Sequence, residues 1–187
     1  HARVNSAVVR QRDRNALLAE ICRIAVEAGG LRAAWVSWHE AGERRLVRHQ
    51  SGERQTDALR AAYAEGGVQA ELTPFIQDTA EAFAQADLVV CRAGASTVTE
   101  ITAVGAAAVF VPFPFAVDDH QTTNAGFLVD QGAGWLVQQD QLSPERLAHM
   151  LSGTDRAELL DRAQKAWNLR KTHATDEVVA ACEELAR

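Results

Sequence analysis

Residues 87–115, DLVVCRAGASTVTEITAVGAAAVFVPFPF, decide the fold. LVVC at 88–91 and AAVFV at 107–111 are apolar at every position rather than at alternate ones. A strand with that pattern is buried on both faces, which is the condition of a strand inside a parallel sheet. The stretch between them, STVTEITAVG, reads as a helix ended by glycine. Strand, helix and strand in this order form one βαβ unit. Its neighbours extend it: TDALRAAYAEGG reads as a short helix with a glycine stop, VQAELTPF as a strand and DTAEAFAQA as a helix. Beyond it, DDHQTTNAGFLVDQG reads as a polar turn running into a helix and GWLVQ as a strand. SPERLAHMLSG and the remaining residues read as helices. The expected fold class is therefore α/β, a Rossmann-like, mostly parallel sheet with helices on both faces.

The front of the chain follows a different grammar. Val8, Ala16, Leu17, Ile21, Ile24, Ala25 and Ala28 recur near helical spacing, with Gly29-Gly30 as the stop, so a helix is predicted over 4–28. LRAAWVSWHE and RRLVRHQSG then read as two strands of a hairpin over 31–50. A hairpin puts an antiparallel pair into the otherwise parallel sheet. It supplies either an edge or the centre of that sheet, with the helix covering its apolar surface. The 187 residues are expected to form one domain.

Hydrophobic residues at 47% and charged residues at 24% belong to an ordinary globular chain, and no apolar run approaches the ~20 residues that span a bilayer. The first residues carry no apolar signal core, and His1 in place of Met is consistent with a fragment or a processed chain. Ten arginines against six acids give residues 1–54 a charge of +4, while the rest carries −10. The arginines alternate with acids and apolar residues along the predicted helix, so no nucleic-acid partner is expected. Cys22, Cys91 and Cys182 lack CxxC spacing and are read as small buried hydrophobes in a reducing compartment. Trp35, Trp38, Trp135 and Trp167 are read as core, His39 and His49 as structural, and His149 and His173 as surface.

Ligands of a doubly wound sheet lie beyond the carboxyl ends of its strands, and three turns fall there. In CRAGASTVTE (91–100), Gly94 permits close backbone approach and the following helix start favours phosphate. The same residues also fit a capping box, with Thr97 as cap and Glu100 reaching back to it. In PFPFAVDDHQTTNAG (112–126), His120, Gln121 and Asn124 with Thr122 and Thr123 suit a hydroxyl-rich ligand such as a sugar. Asp118, Asp119 and His120 admit a metal reading, although successive residues on a helix diverge, and a plain polar helix cap is the third alternative. In LTPFIQD (72–78), Phe75 and Ile76 make either a wall for a flat base or a hydrophobic staple for the next helix. GxSxG, GxxxxGK[ST] and GxGxxG are absent, and no nucleophile–base set is visible.

From about residue 46 to the end, ADLVVCRAGA, VPFP and DDHQTTNA occur in an order and spacing that resemble the carboxyl-terminal half of the MurG-type UDP-N-acetylglucosamine transferases. That family has the GT-B fold and adds N-acetylglucosamine to lipid-linked N-acetylmuramoyl-pentapeptide (lipid I to lipid II). The resemblance implies that UDP-N-acetylglucosamine is the ligand, with Phe75 and Ile76 at the uracil and Glu100 on the ribose hydroxyls. Ala95, Ser96 and Thr97 would approach the diphosphate and sugar, and His120, Gln121 and Asn124 would lie along the N-acetylglucosamine. No catalytic residue, cofactor or metal is expected in this half. The family works at the inner face of the plasma membrane, which implies a cytoplasmic protein peripheral to it.

The sequence departs from the family at Ser96, where leucine is common, and at Phe115, where histidine is. It also lacks the glycine-rich phosphate loop of the GGSQGA kind and the acceptor domain with its base. In their place, residues 4–40 resemble the first helix and strand of a GAF domain. The expectation is a chimera that binds its donor weakly if at all and has no transferase activity alone. The alternatives are a ligand-free scaffold and a half-enzyme active only with a separate acceptor domain. A homodimer made by swapping the front helix is a further expectation.

Overall fold

The structure, a computed structural model, describes residues 14–27, 33–38 and 45–186. In chain order its elements are α1 (Arg14–Glu27), β1 (Ala33–Trp38), β2 (Arg45–Gln50), α2 (Thr56–Glu65), β3 (Ala70–Thr73), α3 (Thr79–Ala84), β4 (Leu88–Cys91) and α4 (Ala95–Val104). There follow β5 (Ala108–Phe110), a 3-10 turn (Val117–Asp119), α5 (His120–Val129) and β6 (Trp135–Leu136). After a second 3-10 turn (Gln139–Gln141), α6 (Pro144–Gly153), α7 (Arg156–Asn168) and α8 (Ala174–Leu185) complete the chain.

The six strands form one sheet in the order β3-β2-β1-β4-β5-β6. β2 pairs parallel with β3, and β4, β5 and β6 pair parallel in turn. β1 is antiparallel to both of its neighbours, with Ala33 opposite Gln50 on one side and Cys91 on the other. The expected hairpin therefore exists and supplies the centre of the sheet. The chain moves outward from β1 through β2 to β3, then returns to β1's other side to build β4, β5 and β6. That reversal is the topological switch point at which α/β sheets open a crevice.

β4 and β5 bear out the two-faced reading position by position. Leu88, Val90, Val109 and Val111 enter one cluster with Leu18 and Cys22 of α1 and Leu147 and Leu151 of α6. Val89, Cys91, Ala108 and Phe110 enter the opposite cluster with Phe83 of α3, Val98 and Ile101 of α4, and Ala125 and Leu128 of α5. α7 serves both, through Leu159 on the first side and Ala166 on the second. Each fully buried Val, Leu, Ile or Phe among them contributes roughly 1.5–3 kcal/mol by leaving water, so the two strands anchor both layers.

α1 packs most extensively on α6 and also meets α2, where Ile21 and Ile24 join Val47, Leu59 and Tyr63. Its buried face is Leu18, Ile21, Cys22, Ile24 and Ala25, while Ala16, expected on that face, is exposed. Val8 and Ala28 lie outside the described residues. His49 is buried, and its Nδ1 lies 3.0 Å from the Tyr63 hydroxyl, the structural role expected of it. His149 and His173 are exposed, and His39 lies outside the described residues.

Two core expectations need correction. Trp167 is 40% exposed and stacks under the Arg170 guanidinium at 4.1 Å rather than entering the core. Trp135, by contrast, is half-buried against the cluster that holds Leu88 and Val109, with Arg162 over its ring at 3.9 Å, and the side chains of Trp35 and Trp38 lie outside the described residues. Cys182 is exposed on α8, a helix with no buried residue, so position in the fold overrides the apolar preference of its thiol. Burial holds the Cys22 and Cys91 thiols up at about 12. Among the described residues no helix is long and apolar enough to cross a membrane.

Two outcomes follow. Ellman's reagent at pH 8 titrates one thiol in the native protein, that of Cys182, and all three after denaturation. Gly105 ends α4 at φ 69°, and a Cβ there would stand 3.1 Å from the Trp167 Cβ. Gly105→Ala therefore lowers the unfolding free energy by at least about 1–2 kcal/mol, read from urea titration.

Candidate functional site

The carboxyl ends of β2, β3, β4 and β5 lie along one edge, and the three turns singled out in the sequence all sit there. The turn after β4 delivers the chain to Gly94, the N-cap of α4 at φ −62° and ψ 149°. The first intrahelical bond runs from the Val98 N–H to the Gly94 carbonyl at 3.0 Å, which places the N–H groups of Ala95, Ser96 and Thr97 ahead of the helical ladder. Ala95 and Ser96 are exposed and Thr97 is half-buried. These donors and the positive end of the helix dipole favour an anion.

The capping box does not form. Thr97 lies in the first turn of α4 instead of at its N-cap, no side chain caps the helix, and the Thr99 hydroxyl donates back to the Ala95 carbonyl at 2.9 Å. β4 ends at Cys91 as expected, but the helix starts earlier than expected, at Ala95, so Gly94 is the N-cap in place of Thr97. Gly94 has a backbone conformation open to any residue, and a Cβ there would meet only the Thr97 Oγ1 at 3.8 Å. Glu100 is half-buried on α4, and its charge adds to burial in raising the Cys91 thiol.

In the turn after β3, Phe75 is 69% exposed, while Ile76 packs on the cluster around β4 and β5. Asp78 is the N-cap of α3, accepting from the Glu81 N–H at 2.8 Å, so the staple position just before the cap falls on Gln77 and neither Phe75 nor Ile76 occupies it. The Ile76 N–H donates to Gln50 Oε1 at 3.1 Å. Phe75 and Ile76 border a cavity of about 220 Å³ that also takes in Arg48, Glu71 and Thr73. The Thr73 hydroxyl oxygen is buried there without a hydrogen-bond partner.

The turn after β5 carries Phe113 and Phe115, packed edge to face at 5.6 Å, with Phe115 81% exposed. Asp118 and Asp119 both take left-handed conformations, φ 52° and 49°, which aspartate tolerates better than most residues. Asp119 is the N-cap of α5 by position but its carboxylate caps nothing, accepting instead from the Thr122 hydroxyl at 2.7 Å. His120 Nδ1 lies 2.8 Å from the Val117 carbonyl, so in the neutral ring Nδ1 carries the proton and Nε2 is the acceptor. Among the described residues no three His, Cys, Asp or Glu side chains are grouped to hold a metal ion.

Gln121 and Asn124 reach across to the neighbouring turns. Gln121 Oε1 accepts from the N–H groups of Ala93 and Phe113, and Asn124 Nδ2 donates to the Ala93 carbonyl. Arg92 donates to the Val111 and Pro112 carbonyls at 3.2 and 3.0 Å, and its guanidinium lies 5.5 Å from the centre of the Phe113 ring. Burial lowers the Arg92 pKa. Gln50 and Arg92 escaped the sequence reading. Arg92 was detectable as the lone charge closing an apolar strand, whereas Gln50 gave no local signal.

A mostly parallel sheet covered by helices on both faces is an α/β fold of the kind found in GT-B glycosyltransferases. The chain belongs to the glycosyltransferase family 28 C-terminal domain family, whose model matches residues 30–180. It is 72% identical over 141 residues to the UDP-N-acetylglucosamine–N-acetylmuramyl-(pentapeptide) pyrophosphoryl-undecaprenol N-acetylglucosamine transferase of Polaromonas sp. (strain JS666), covering 75% of this chain and 36% of that one. The enzyme of the same name from Acidovorax sp. (strain JS42) is 64% identical over 152 residues, 81% of this chain and 38% of its own. The crystal structure of Acinetobacter baumannii MurG superposes with a TM-score of 0.72 at 37% identity, covering 90% of this chain and 48% of that one. The chain thus spans less than half the length of these relatives.

Removing the Arg92 guanidinium leaves the Val111 and Pro112 carbonyls without that donor. Arg92→Met lowers the unfolding free energy by about 1–3 kcal/mol in denaturant titration.

Proposed function

We propose that this chain is a UDP-N-acetylglucosamine-binding half of a peptidoglycan glycosyltransferase and that it does not transfer sugar on its own. The observation that carries the reading is Gly94. Its φ is ordinary and a side chain would fit beside it, so the protein's own packing gives no reason for glycine. A phosphate drawn onto the N–H groups of Ala95, Ser96 and Thr97 supplies one, because a Cβ at the N-cap would obstruct its approach. The names of the relatives support UDP-N-acetylglucosamine as the donor and a pyrophosphoryl-undecaprenol acceptor as its partner.

On this reading Phe75 and Ile76 flank the uracil, Glu100 takes the ribose hydroxyls, and His120, Gln121 and Asn124 lie along the sugar. Transfer needs an acceptor held in line with the donor, and positioning of that kind supplies much of the rate. The proposal also includes work at the cytoplasmic face of a membrane, with the acceptor held by a unit outside these residues. It also includes a GAF-like origin for residues 4–40, the last part of which overlaps the family match that begins at residue 30.

A ligand-free scaffold is the second reading. It is favoured by the Ile76 N–H already being taken by Gln50 and by Gln121 and Asn124 being engaged with backbone. Calorimetry with UDP and UDP-N-acetylglucosamine separates the two. Binding that is lost in Gly94→Ala, with stability changed by no more than about 1 kcal/mol, supports the donor site. No heat at millimolar ligand supports the scaffold.

A further inference from the structure

Gln121 is the second residue of α5, yet its amide belongs to the two turns before it. Oε1 accepts from the Ala93 N–H at 3.2 Å, just past β4, and from the Phe113 N–H at 2.9 Å, just past β5. Two donors on one atom fix the orientation of the amide, so Oε1 is the occupied acceptor and Nε2, which can only donate, is the group left over. Three residues on, Asn124 is oriented the opposite way, with Nδ2 donating to the Ala93 carbonyl at 3.1 Å and Oδ1 left over as an acceptor. Ala93 is fully buried, and both of its backbone groups are held by side chains of α5. The next residue, Gly94, is the N-cap of α4.

We propose that Gln121 is a positioning residue for the donor diphosphate, an inference that rests on the donor-binding reading above. One carbonyl oxygen holds the exits of β4 and β5 together and so sets the direction in which the N–H groups of Ala95, Ser96 and Thr97 face. A side chain that served only to touch a sugar would keep Oε1 free until the sugar arrived. Here Oε1 is already committed to the two backbone N–H groups, so its effect on the diphosphate runs through the turn it holds.

The test uses the full chain, amide exchange followed by NMR, and titration with UDP and with uridine. Uridine carries the base and ribose without the diphosphate, so the UDP-to-uridine affinity ratio isolates the phosphate cradle from general destabilisation. Gln121→Leu removes the shared acceptor. The expected result is exchange at Ala93 and Phe113 faster by about tenfold and a UDP-to-uridine ratio smaller by about tenfold, with uridine affinity unchanged. Gln121→Glu keeps acceptor oxygens in place, so protection at both amides stays near that of the parent, and it provides the comparison if the leucine variant fails to fold. Unchanged exchange or an unchanged ratio in Gln121→Leu overturns the proposal, as does loss of protection in Gln121→Glu. A parent chain that binds no UDP overturns the donor-binding reading instead, and the exchange data then report on the strut alone.

Discussion

β4 and β5 are apolar on both faces because they lie between two helical layers, and this constraint governs the rest of the molecule. Val89, Val109 and Phe110 are wholly removed from water. No polar side chain can enter that slab without a partner, since an unpaired group there costs more than a hydrogen bond returns. Polar chemistry is therefore displaced to the strand ends. At the carboxyl ends the chain must leave the sheet, and there Arg92, Gln121 and Asn124 bond backbone groups of Ala93 and Val111 that are buried away from water. The candidate site is a consequence of how dry the centre is.

The inverted β1 shows how much such a sheet tolerates. β1 pairs antiparallel along its whole length with β2 and through Ala33–Val36 with β4, and parallel pairs continue outside it on both sides. The consequence is local. Every other strand ends at the functional edge, whereas β1 begins there at Ala33, so its carboxyl end contributes no turn to the crevice. α1 keeps one face of the sheet covered by lying against α6 and α2.

Some of this was legible in the residues and some was not. Undivided apolar runs identified β4 and β5, and the glycine after α4 marked a stop that the structure places at φ 69°. The shift from strand–helix alternation to a hairpin identified the mixed sheet. Local patterns misled where tertiary packing competed with them. STVTE matched a capping box, but α4 begins at Ala95 with Gly94 as its N-cap and carries Thr97 in its first turn. Phe75 matched a staple, but α3 begins late enough that Gln77 holds the staple position, and the Phe75 ring stays in solvent. Trp167 and Cys182 matched core residues by type and stand on surfaces of α7 and α8.

By itself the sequence determined the class of fold, the order of most elements and the three turns where polar residues collect, because these follow from periodicity and from where glycine and proline interrupt it. Only the tertiary structure decided that β1 sits in the centre, that Leu18 and Cys22 rather than Ala16 face inward, and that Gln50, Gln121 and Asn124 bond to backbone in other turns. The physical reason is distance along the chain. Hydrogen-bond partners 26 to 31 residues apart leave no local pattern, and the orientation of an amide is set by the partner it meets.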